Sequence, residues 1–228
     1  MTSEERTRGS AETGGPRLQA LLGLLPRVEV FADVGCDHAA LACAAVASGR
    51  ARRAIGVDIS ASALAAGART VAQRGLGRRV ELRRGDGFAP ILPADGVAAA
   101  ALAGMGGRLV LEICGRCDPR SLGVRWLVIQ PNRDAAEVRV RLSGAGWGLV
   151  DERLPEVGGR AFPTLRFDAQ VPPLDLTPLE ALLGPHLLRA RPPALVRLAA
   201  RLHAHYARKP PGAIDREVLD ALDSLRSP

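Results

Sequence analysis

Aromatic side chains are scarce in this sequence, whose 228 residues include four Phe, two Trp and one Tyr. Few rings are present on which nucleobases could stack, so any binding of nucleic acid would rest on charge and shape. Long apolar runs are missing as well. No run reaches the roughly 18 to 20 residues that a helix needs to cross a bilayer, which excludes a membrane-spanning protein.

Cysteine is also rare, and the four present are Cys36, Cys43, Cys114 and Cys117. They do not form a disulfide framework, and no secretory signal precedes them, so we expect a cytoplasmic protein. Cys114 and Cys117 form one C-x-x-C pair, but structural zinc takes four ligands and no second pair lies near. We therefore predict no metal site and interpret the pair as small apolar residues at a helix end, with zinc as the alternative.

Basic residues outnumber acidic ones, with 31 Lys and Arg against 24 Asp and Glu, a formal net charge of +7 and a pI near 10.4. This excess favours an acidic partner such as nucleic acid, although charge by itself says nothing about fold. The fold must be predicted from the hydrophobic pattern instead.

The hydrophobic pattern predicts a polar tail and one main domain over residues 15–171. Residues 1–14 lack hydrophobic periodicity, which predicts disorder. From Pro16 onward, short apolar strands alternate with segments of helical period, as in a parallel sheet with helices on both faces. The predicted strands are VEVFADVG (28–35), AIGVDI (54–59), VELRRGD (80–86), VAAAALAG (97–104) and WLVIQP (126–131), and the first is followed by a helix from about His38 to Ala47.

After Trp147 the pattern changes to two extended runs joined by Gly-Gly-Arg, which predicts an antiparallel hairpin. A seven-stranded, mostly parallel α/β sheet that ends in such a hairpin matches the Rossmann-like class I methyltransferase architecture. A dinucleotide dehydrogenase usually keeps its sheet parallel.

Residues 172–228 are predicted to form a small helical extension. A proline-rich linker leads to Thr177, which with Pro178 and Glu180 makes a capping-box helix start. Two amphipathic segments follow, and their apolar residues recur at three-to-four spacing. We expect them to pack as a helical hairpin or small coiled coil.

Acidic residues end three successive predicted strands, with Asp33 on the first, Asp58 on the second and Asp86 on the third. Open α/β sheets bind ligands at the carboxyl ends of their strands, beside the switch in strand order. The first turn carries only Gly35 of the three glycines in a dinucleotide fingerprint. An acid at this position favours a cationic or neutral ligand over a pyrophosphate.

S-adenosylmethionine is such a ligand, because it carries a sulfonium and an amino group but no phosphate. Asp33 would accept hydrogen bonds from the amino group, Asp58 from the ribose hydroxyls and Asp86 from the adenine amino group. The alternative is that each aspartate only caps the helix that follows it.

The fourth strand ends in the glycine-rich sequence LAGMGG, Leu102–Gly107. It has neither the acid nor the aromatic of the Asp/Asn-Pro-Pro-aromatic loop found in many adenine-amino methyltransferases. Its glycines let the backbone approach a planar substrate closely. A plain helix-start loop is the alternative.

The segments DVGCDHAAL, GVDIS, RRGDGF, LAGMGGRLV and LVIQPN, in this order and followed by LLGPHLL, resemble the TrmK family of bacterial tRNA methyltransferases. Members of that family methylate N1 of adenine 22 in tRNA. The resemblance runs from about Pro16 to the C-terminal helices. It implies S-adenosylmethionine as cofactor and tRNA as partner, and we expect a monomer or a weak dimer.

The same resemblance implies roles for particular residues. The cofactor site would comprise Asp33, Gly35, Cys36, Asp58, Ile59, Asp86, Gly87 and Gly104. The methyl group would be transferred beside Asp37, His38, Gly104, Met105 and Gly106, with Gly107, Gln130, Pro131 and Asn132 bordering the target base.

Two departures from the family pattern concern the substrate side. Similar sequences have Tyr-Leu-Pro after the Asp-His pair, where this chain has Ala40 to Ala42. They also have Lys-x-Tyr-Glu in the closing hairpin, where this chain has Arg160, Phe162 and Pro163. A phenol and a carboxylate are therefore absent near the predicted acceptor.

Adenine N1 carries a free lone pair, so methyl transfer to it needs orientation more than deprotonation. The methylated base is cationic until it loses a proton, and Asp37 is the predicted group that stabilises this charge. His38 would orient Asp37 or relay the proton, and a helix-start histidine bonded to backbone is the alternative. Cys36 has no base partner in the sequence and is expected to be a small neighbour of the cofactor.

For the RNA we expect phosphate contacts from one face of the helical extension, formed by Arg197, Arg201, Arg208 and Lys209. An ordinary solvated helix face is the alternative. Three other functions remain open at this point: methyl transfer to another acceptor, RNA binding without catalysis, and nicotinamide-dependent oxidoreduction. The single glycine of the first turn counts against the last of these.

Overall fold

The structure is a computed structural model that describes residues 14–208 and 216–225. Its strands are β1 (Val28–Val34), β2 (Ala51–Asp58), β3 (Val80–Arg84), β4 (Val97–Ala103), β5 (Trp126–Gln130), β6 (Gly148–Arg153), β7 (Glu156–Val157), β8 (Arg160–Ala161) and β9 (Thr164–Asp168). Its helices are α1 (Pro16–Leu24), α2 (Ala40–Ala47), α3 (Ala61–Gln73), α4 (Gly107–Arg116), α5 (Ala135–Gly144), α6 (Pro178–Leu183), α7 (Pro185–Ala190), α8 (Pro193–Tyr206) and α9 (Arg216–Ser224).

Seven strands form one sheet in the order β3-β2-β1-β4-β5-β9-β6. The first five pair in parallel, and β9 inserts antiparallel between β5 and β6. The predicted mostly parallel sheet with a terminal antiparallel hairpin is confirmed. The strand order reverses on either side of β1, so the ligand site expected at such a switch point lies beyond the carboxyl ends of β1 and β4.

Both faces of the sheet are buried. One cluster contains Val30, Ile55, Leu102 and Trp147, and a second on the opposite face contains Phe31, Val46 and Val128. Strand β4 has the sequence VAAAALA, whose small side chains leave room for the helices that cover it. Continuous burial of the central strands explains why their sequences read as apolar runs without alternation.

Helix α2 begins at Ala40, two residues later than the start predicted near His38. The prediction was wrong because Asp37 and Ala39 both have positive φ, at +49° and +59°, and cannot belong to a right-handed helix. The residues between β1 and α2 therefore form an irregular turn at the centre of the switch point. Strand β2 also begins earlier than predicted, at Ala51.

The tip of the closing hairpin leaves the main sheet. Strands β7 and β8 pair with each other as a separate two-stranded ribbon, turning at Gly158 and Gly159. We call residues 155–163 the ribbon. It carries Arg160 and Phe162, the residues at one of the two departures from the family pattern.

The predicted helical extension is present as α6 to α9. Its capping box is confirmed, with Thr177 Oγ1 accepting from the Glu180 amide at 3.3 Å and Glu180 Oε2 accepting from the Thr177 amide at 3.0 Å. Leu183, Leu195 and Leu222 form the centre of its own apolar cluster. Within the described residues, no helix combines the length and apolar character needed to cross a bilayer.

Candidate active site

Asp33 lies near the carboxyl end of β1 and is only 3% exposed. Its Oδ2 accepts a hydrogen bond from the amide of Ala42 in the first turn of α2, at 3.0 Å. Burial, and next the negative charge of Asp58, raise the pKa of the Asp33 carboxyl to about 7, and the Ala42 amide opposes the shift. Asp33 therefore does bond the following helix, as the capping alternative required, and it is also a buried acid whose charge would be stabilised by a cation.

The turn after β1 alternates in backbone conformation, with positive φ at Gly35 (+75°), Asp37 (+49°) and Ala39 (+59°). Its first two amides, of Gly35 and Cys36, both donate to the carbonyl of Val57 at 2.8 and 2.9 Å. The turn is thus tied to the end of β2. This arrangement places the predicted residues of the first and second strand ends side by side.

Asp58 at the end of β2 uses both carboxylate oxygens to fix the backbone around it. Oδ2 accepts from the amide of Asp37 and Oδ1 from the amide of Ser60, each at 2.9 Å. Next to it, Ile59 is 66% exposed although its side chain is large and apolar. An oriented acid beside an exposed aliphatic surface can bind a sugar hydroxyl pair and the face of a base.

Asp37 and His38 lie on the open side of the turn and both are exposed. His38 Nδ1 is 2.7 Å from Asp37 Oδ2. The histidine is therefore paired with a carboxylate and not with the backbone, which was the alternative interpretation. This pair is positioned to contact a ligand that enters from solvent.

Gly35 is the point where the first turn meets the glycine-rich loop after β4. A Cβ atom added to Gly35 would lie 2.6 Å from Cε of Met105, and the positive φ also favours glycine at this position. Cys36 is buried beside it, and burial, followed by the charge of Asp33, raises the pKa of its thiol to about 12. A thiol of this kind is a poor nucleophile, in agreement with the role predicted for Cys36.

Asp86 follows β3 and forms an exposed ion pair with Arg116 of α4, at 2.9 Å. Gly87 packs against Ile113 of the same helix. The third predicted acid therefore lies in a more open environment than Asp33 and Asp58, with an arginine partner that the sequence did not indicate.

The acceptor-side residues come together between β4 and β5. The amide of Gly104 donates to the carbonyl of Gln130 at 3.0 Å, and the amide of Asn132 donates to the carbonyl of Met105 at 2.8 Å. The Asn132 side-chain amide also donates to the Gly104 carbonyl. A Cβ added to Gly107 would lie 2.9 Å from the carbonyl oxygens of residues 133 and 134, so only glycine fits this close approach.

Arg17 of α1 reaches this loop and was missed by the sequence reasoning. Its Nε donates to Oε1 of Gln130 at 2.7 Å and its Nη2 to Oδ1 of Asn132 at 3.0 Å. Its guanidinium carbon lies 4.3 Å from the ring centroid of Phe162, and that of Arg160 lies 5.0 Å from the same centroid. The only sequence signal was a single charged residue, Arg17, within a first helix that is apolar apart from Gln19.

Within the described part of the chain, the arginine face predicted for the helical extension forms no hydrogen bond with Arg17 or the acceptor loop. Two of its arginines are bonded to the ribbon. Arg197 forms an ion pair with Glu156, and Nη1 of Arg201 donates to the Gly159 carbonyl at 2.9 Å. Arg208 is exposed. Lys209, the fourth residue predicted for this face, lies outside the described residues.

A groove of about 430 Å³ runs between the acceptor side and the helical extension. Asn132 and Arg133 line it on one side, and Leu198, Leu202 and Tyr206 of α8 line it on the other. Among residues 14–208 and 216–225, no cluster of three or more His, Cys, Asp or Glu could hold a metal ion.

The arrangement fits S-adenosylmethionine in three respects. A buried acid is available for an amino group, a backbone-fixed acid for two hydroxyls, and an exposed isoleucine for an adenine ring; these are Asp33, Asp58 and Ile59. The space above Gly35 is bounded by Met105 of the acceptor loop. A donor methyl placed there would face the glycine-rich loop that follows β4.

Comparisons with known proteins agree with this geometry. Over 153 residues the chain is 33% identical to the tRNA (adenine(22)-N(1))-methyltransferase of Bacillus subtilis, a match that covers 67% of this chain and 64% of that protein. The solved structure of the B. subtilis M1A22 tRNA methyltransferase TrmK has a TM-score of 0.74 at 24% identity, covering 93% of this chain and 95% of that one. The M. capricolum TrmK structure, in complex with S-adenosylhomocysteine, has a TM-score of 0.68 at 17% identity, covering 92% and 95%.

These structural likenesses show a shared fold. The family described as "Methyltransferase domain" matches residues 15–165, which run from α1 to the start of β9 and include the donor and acceptor residues from Asp33 to Asn132. More than half of the sequence lies within that match. The chain therefore belongs to the methyltransferase-domain family.

Proposed function

We propose that this protein transfers a methyl group from S-adenosylmethionine to N1 of adenine 22 in tRNA. The observation that carries the proposal is the contact between the Gly35 turn and Met105, which joins an acid-lined donor site to a glycine-rich acceptor loop. The likeness to the B. subtilis tRNA (adenine(22)-N(1))-methyltransferase supports the choice of acceptor.

When bound, S-adenosylmethionine supplies an electrophilic methyl group on a sulfonium. Asp33 binds the amino end of the donor, and its carboxyl ionises to do so because an ammonium offsets the cost of burying the charge. Asp58 accepts from the ribose hydroxyls, and Ile59 covers one face of the adenine ring. Asp86 gives up part of its contact with Arg116 to accept from the adenine amino group.

The acceptor loop orients the target base. In-line placement of nucleophile, methyl and sulfur can contribute on the order of 7 kcal/mol, and adenine N1 needs no base to expose its lone pair. Asn132 holds the carbonyls of Gly104 and Met105, which supports assigning the backbone of residues 104–106 to one face of the target ring. Since N1 lies on the Watson–Crick edge, the target must be unpaired before it enters.

Asp37 and His38 act on the charge that develops on the base. The methylated ring is cationic until it loses a proton, and an exposed carboxylate beside the pocket stabilises that cation. The 2.7 Å contact orients His38 to take the proton onward to solvent. Neither residue is needed to hold the donor.

The helical extension and the groove beside it contact the tRNA. Tyr206 and the leucines of α8 give the groove an apolar wall opposite Asn132, the residue next to the target base. Arg208 and Lys209 contribute phosphate contacts, and Arg197 and Arg201 do so once they leave the ribbon. Recognition rests on tRNA shape and backbone, because the sequence has few aromatic residues.

Nucleoside mass spectrometry of tRNA incubated with the protein and S-adenosylmethionine tests the proposal. We expect 1-methyladenosine at position 22, and none with the Asp33→Ala variant. If the protein binds donor and tRNA but leaves every nucleoside unmodified, the proposed methyltransferase activity is refuted. That result would favour an RNA-binding protein that keeps the fold. A methylated position other than 22 would refute the assigned acceptor.

A further inference from the structure

We infer that Arg17 is a positioning residue of the acceptor pocket, which sets the orientation of the Gln130 and Asn132 side-chain amides and through them holds the glycine-rich loop in place. The role of Arg17 in catalysis rests on the proposed function. The contacts from which we infer its positioning role do not depend on that function.

A guanidinium group donates hydrogen bonds and accepts none. Arg17 therefore requires that Gln130 and Asn132 both turn their side-chain oxygens toward it, as the distances of 2.7 and 3.0 Å show. The two NH₂ groups must then point away. Gln130 has no exposed surface, so water cannot replace this partner without a rearrangement of the core.

The direction given to Asn132 determines the position of the loop. With its oxygen bound to Arg17, its NH₂ group donates to the Gly104 carbonyl, while its backbone amide donates to the Met105 carbonyl. Two successive loop residues are thus bonded to one asparagine, and the bond to Gly104 depends on the side-chain orientation that Arg17 fixes. Met105 in turn borders Gly35, so the same chain of contacts reaches the donor site.

Arg17 is itself held in one position. Its guanidinium carbon lies 4.3 Å from the centroid of the Phe162 ring, and its Nη2 lies 3.8 Å from the position of a Cβ built on Gly104. Partial burial, and next the positive charge of Arg160, lower the pKa of Arg17. An exposed arginine would serve a phosphate contact better, so the surroundings of Arg17 favour a positioning role.

Three single variants separate positioning from phosphate binding. Arg17→Ala removes the bridge, Arg17→Lys keeps the charge but cannot bond two amides in a fixed fork, and Arg27→Ala removes an exposed arginine just after α1 as a matched control. We expect kcat to fall by about 10- to 100-fold in both Arg17 variants. KM for tRNA and the affinity for S-adenosylmethionine should stay within about threefold, and Arg27→Ala should behave as the unmodified protein.

A double variant tests whether Arg17 acts through Asn132. If it does, adding Arg17→Ala to Asn132→Ala should slow transfer by less than about threefold, far less than Arg17→Ala does alone. Recovery of kcat in Arg17→Lys, a higher KM with unchanged kcat, or full additivity with Asn132→Ala would each overturn the inference.

One readout does not depend on activity. The chain contains two methionines, Met1 and Met105, so a ¹³C-methyl spectrum reports almost selectively on the loop. We expect the Met105 methyl signal to shift or broaden in Arg17→Ala and Arg17→Lys but not in Arg27→Ala. An unchanged signal in a folded Arg17→Ala protein would overturn the inference even if no tRNA substrate were found, whereas absence of 1-methyladenosine with the unmodified protein would overturn only the proposed function.

Discussion

Arg139 Nε donates to Glu152 Oε1 across 2.7 Å, and neither side chain has any exposed surface. Arg139 also donates to the carbonyl of Ala181 at 2.9 Å, at the end of α6. The second oxygen of Glu152 accepts from the amide of His186 at 3.0 Å. A buried ion pair between α5 and β6 thus holds the segment that joins α6 and α7, and with it the start of the helical extension.

Glu152→Gln should lower the free energy of unfolding by about 3 to 5 kcal/mol, because it leaves the Arg139 charge buried without its partner. Urea denaturation followed by circular dichroism measures this directly.

The pair formed by Arg52 and Glu29 provides the control. Its side chains are 77% and 65% exposed, so Glu29→Gln should change stability by less than about 1 kcal/mol. Equal effects of the two substitutions would show that burial of the Arg139 pair does not matter to the fold.

The affinity for S-adenosylmethionine should fall as the pH drops below about 7, by up to about tenfold per pH unit. The cause is the raised pKa of Asp33, which must lose its proton to pair with the donor ammonium. Titration calorimetry between pH 6 and 8, in buffers of different ionisation enthalpy, should also detect proton release on binding. The stability of the donor-free protein depends on pH in the opposite direction to donor affinity. The folded state binds the Asp33 proton more tightly than the unfolded chain does, so the contribution of Asp33 to the free energy of unfolding is lost as the pH rises through 7.

Asp33→Asn should bind the donor weakly and without this pH dependence, because the side chain no longer titrates. Asp86→Asn, at an exposed site, should keep the full dependence. Persistence of the pH effect in Asp33→Asn would assign it to another group.

Asp37→Asn should slow methyl transfer by about 10- to 100-fold while leaving donor affinity within about twofold. The backbone amide of residue 37, which bonds Asp58, is unchanged, and asparagine tolerates the positive φ at this position. Single-turnover kinetics with bound donor isolate the step. A normal rate in this variant would remove Asp37 from the chemistry.

Glu156→Ala should strengthen tRNA binding by up to about fivefold, because Arg197 no longer has to leave an ion pair to reach a phosphate. The slope of log affinity against log salt should change by less than about one phosphate contact, because Arg197 reaches the same phosphate in both proteins. Filter binding at several salt concentrations measures both quantities.

Glu112→Ala is the control for net charge, since Glu112 is an exposed acid on α4. It should change the affinity for tRNA much less than Glu156→Ala does. Weaker binding in Glu156→Ala would mean that the ribbon contact, and not a freed Arg197, supports the RNA.

The sequence was sufficient to predict what depends on neighbouring residues along the chain. Asp33, Asp58 and Asp86 could be placed at strand ends because apolar runs stop there, and parallel strands bring their ends to one edge. The hairpin followed from two extended runs without a helix between them. These features require only local pattern and one topological rule.

Features that depend on distant contacts could not be predicted in the same way. Arg17 and Gln130 are separated by 113 positions, and nothing in the residues around either indicates the other. The contacts of the ribbon with Arg197 and Arg201 likewise arise from tertiary packing, so the helical period of α8 could not predict them. Helix α2 was predicted to begin too early because an alanine-rich sequence gives no sign that Ala39 has positive φ.

The backbone conformation of the turn after β1 is energetically unfavourable. Two of its three residues with positive φ, Asp37 and Ala39, are not glycines, and each such residue costs roughly 1 to 2 kcal/mol. The rest of the domain supplies that free energy when the chain folds. The donor therefore binds a loop that is already ordered in the folded protein. Part of the free energy that favours donor binding comes from the stability of the sheet, which holds the loop in this conformation.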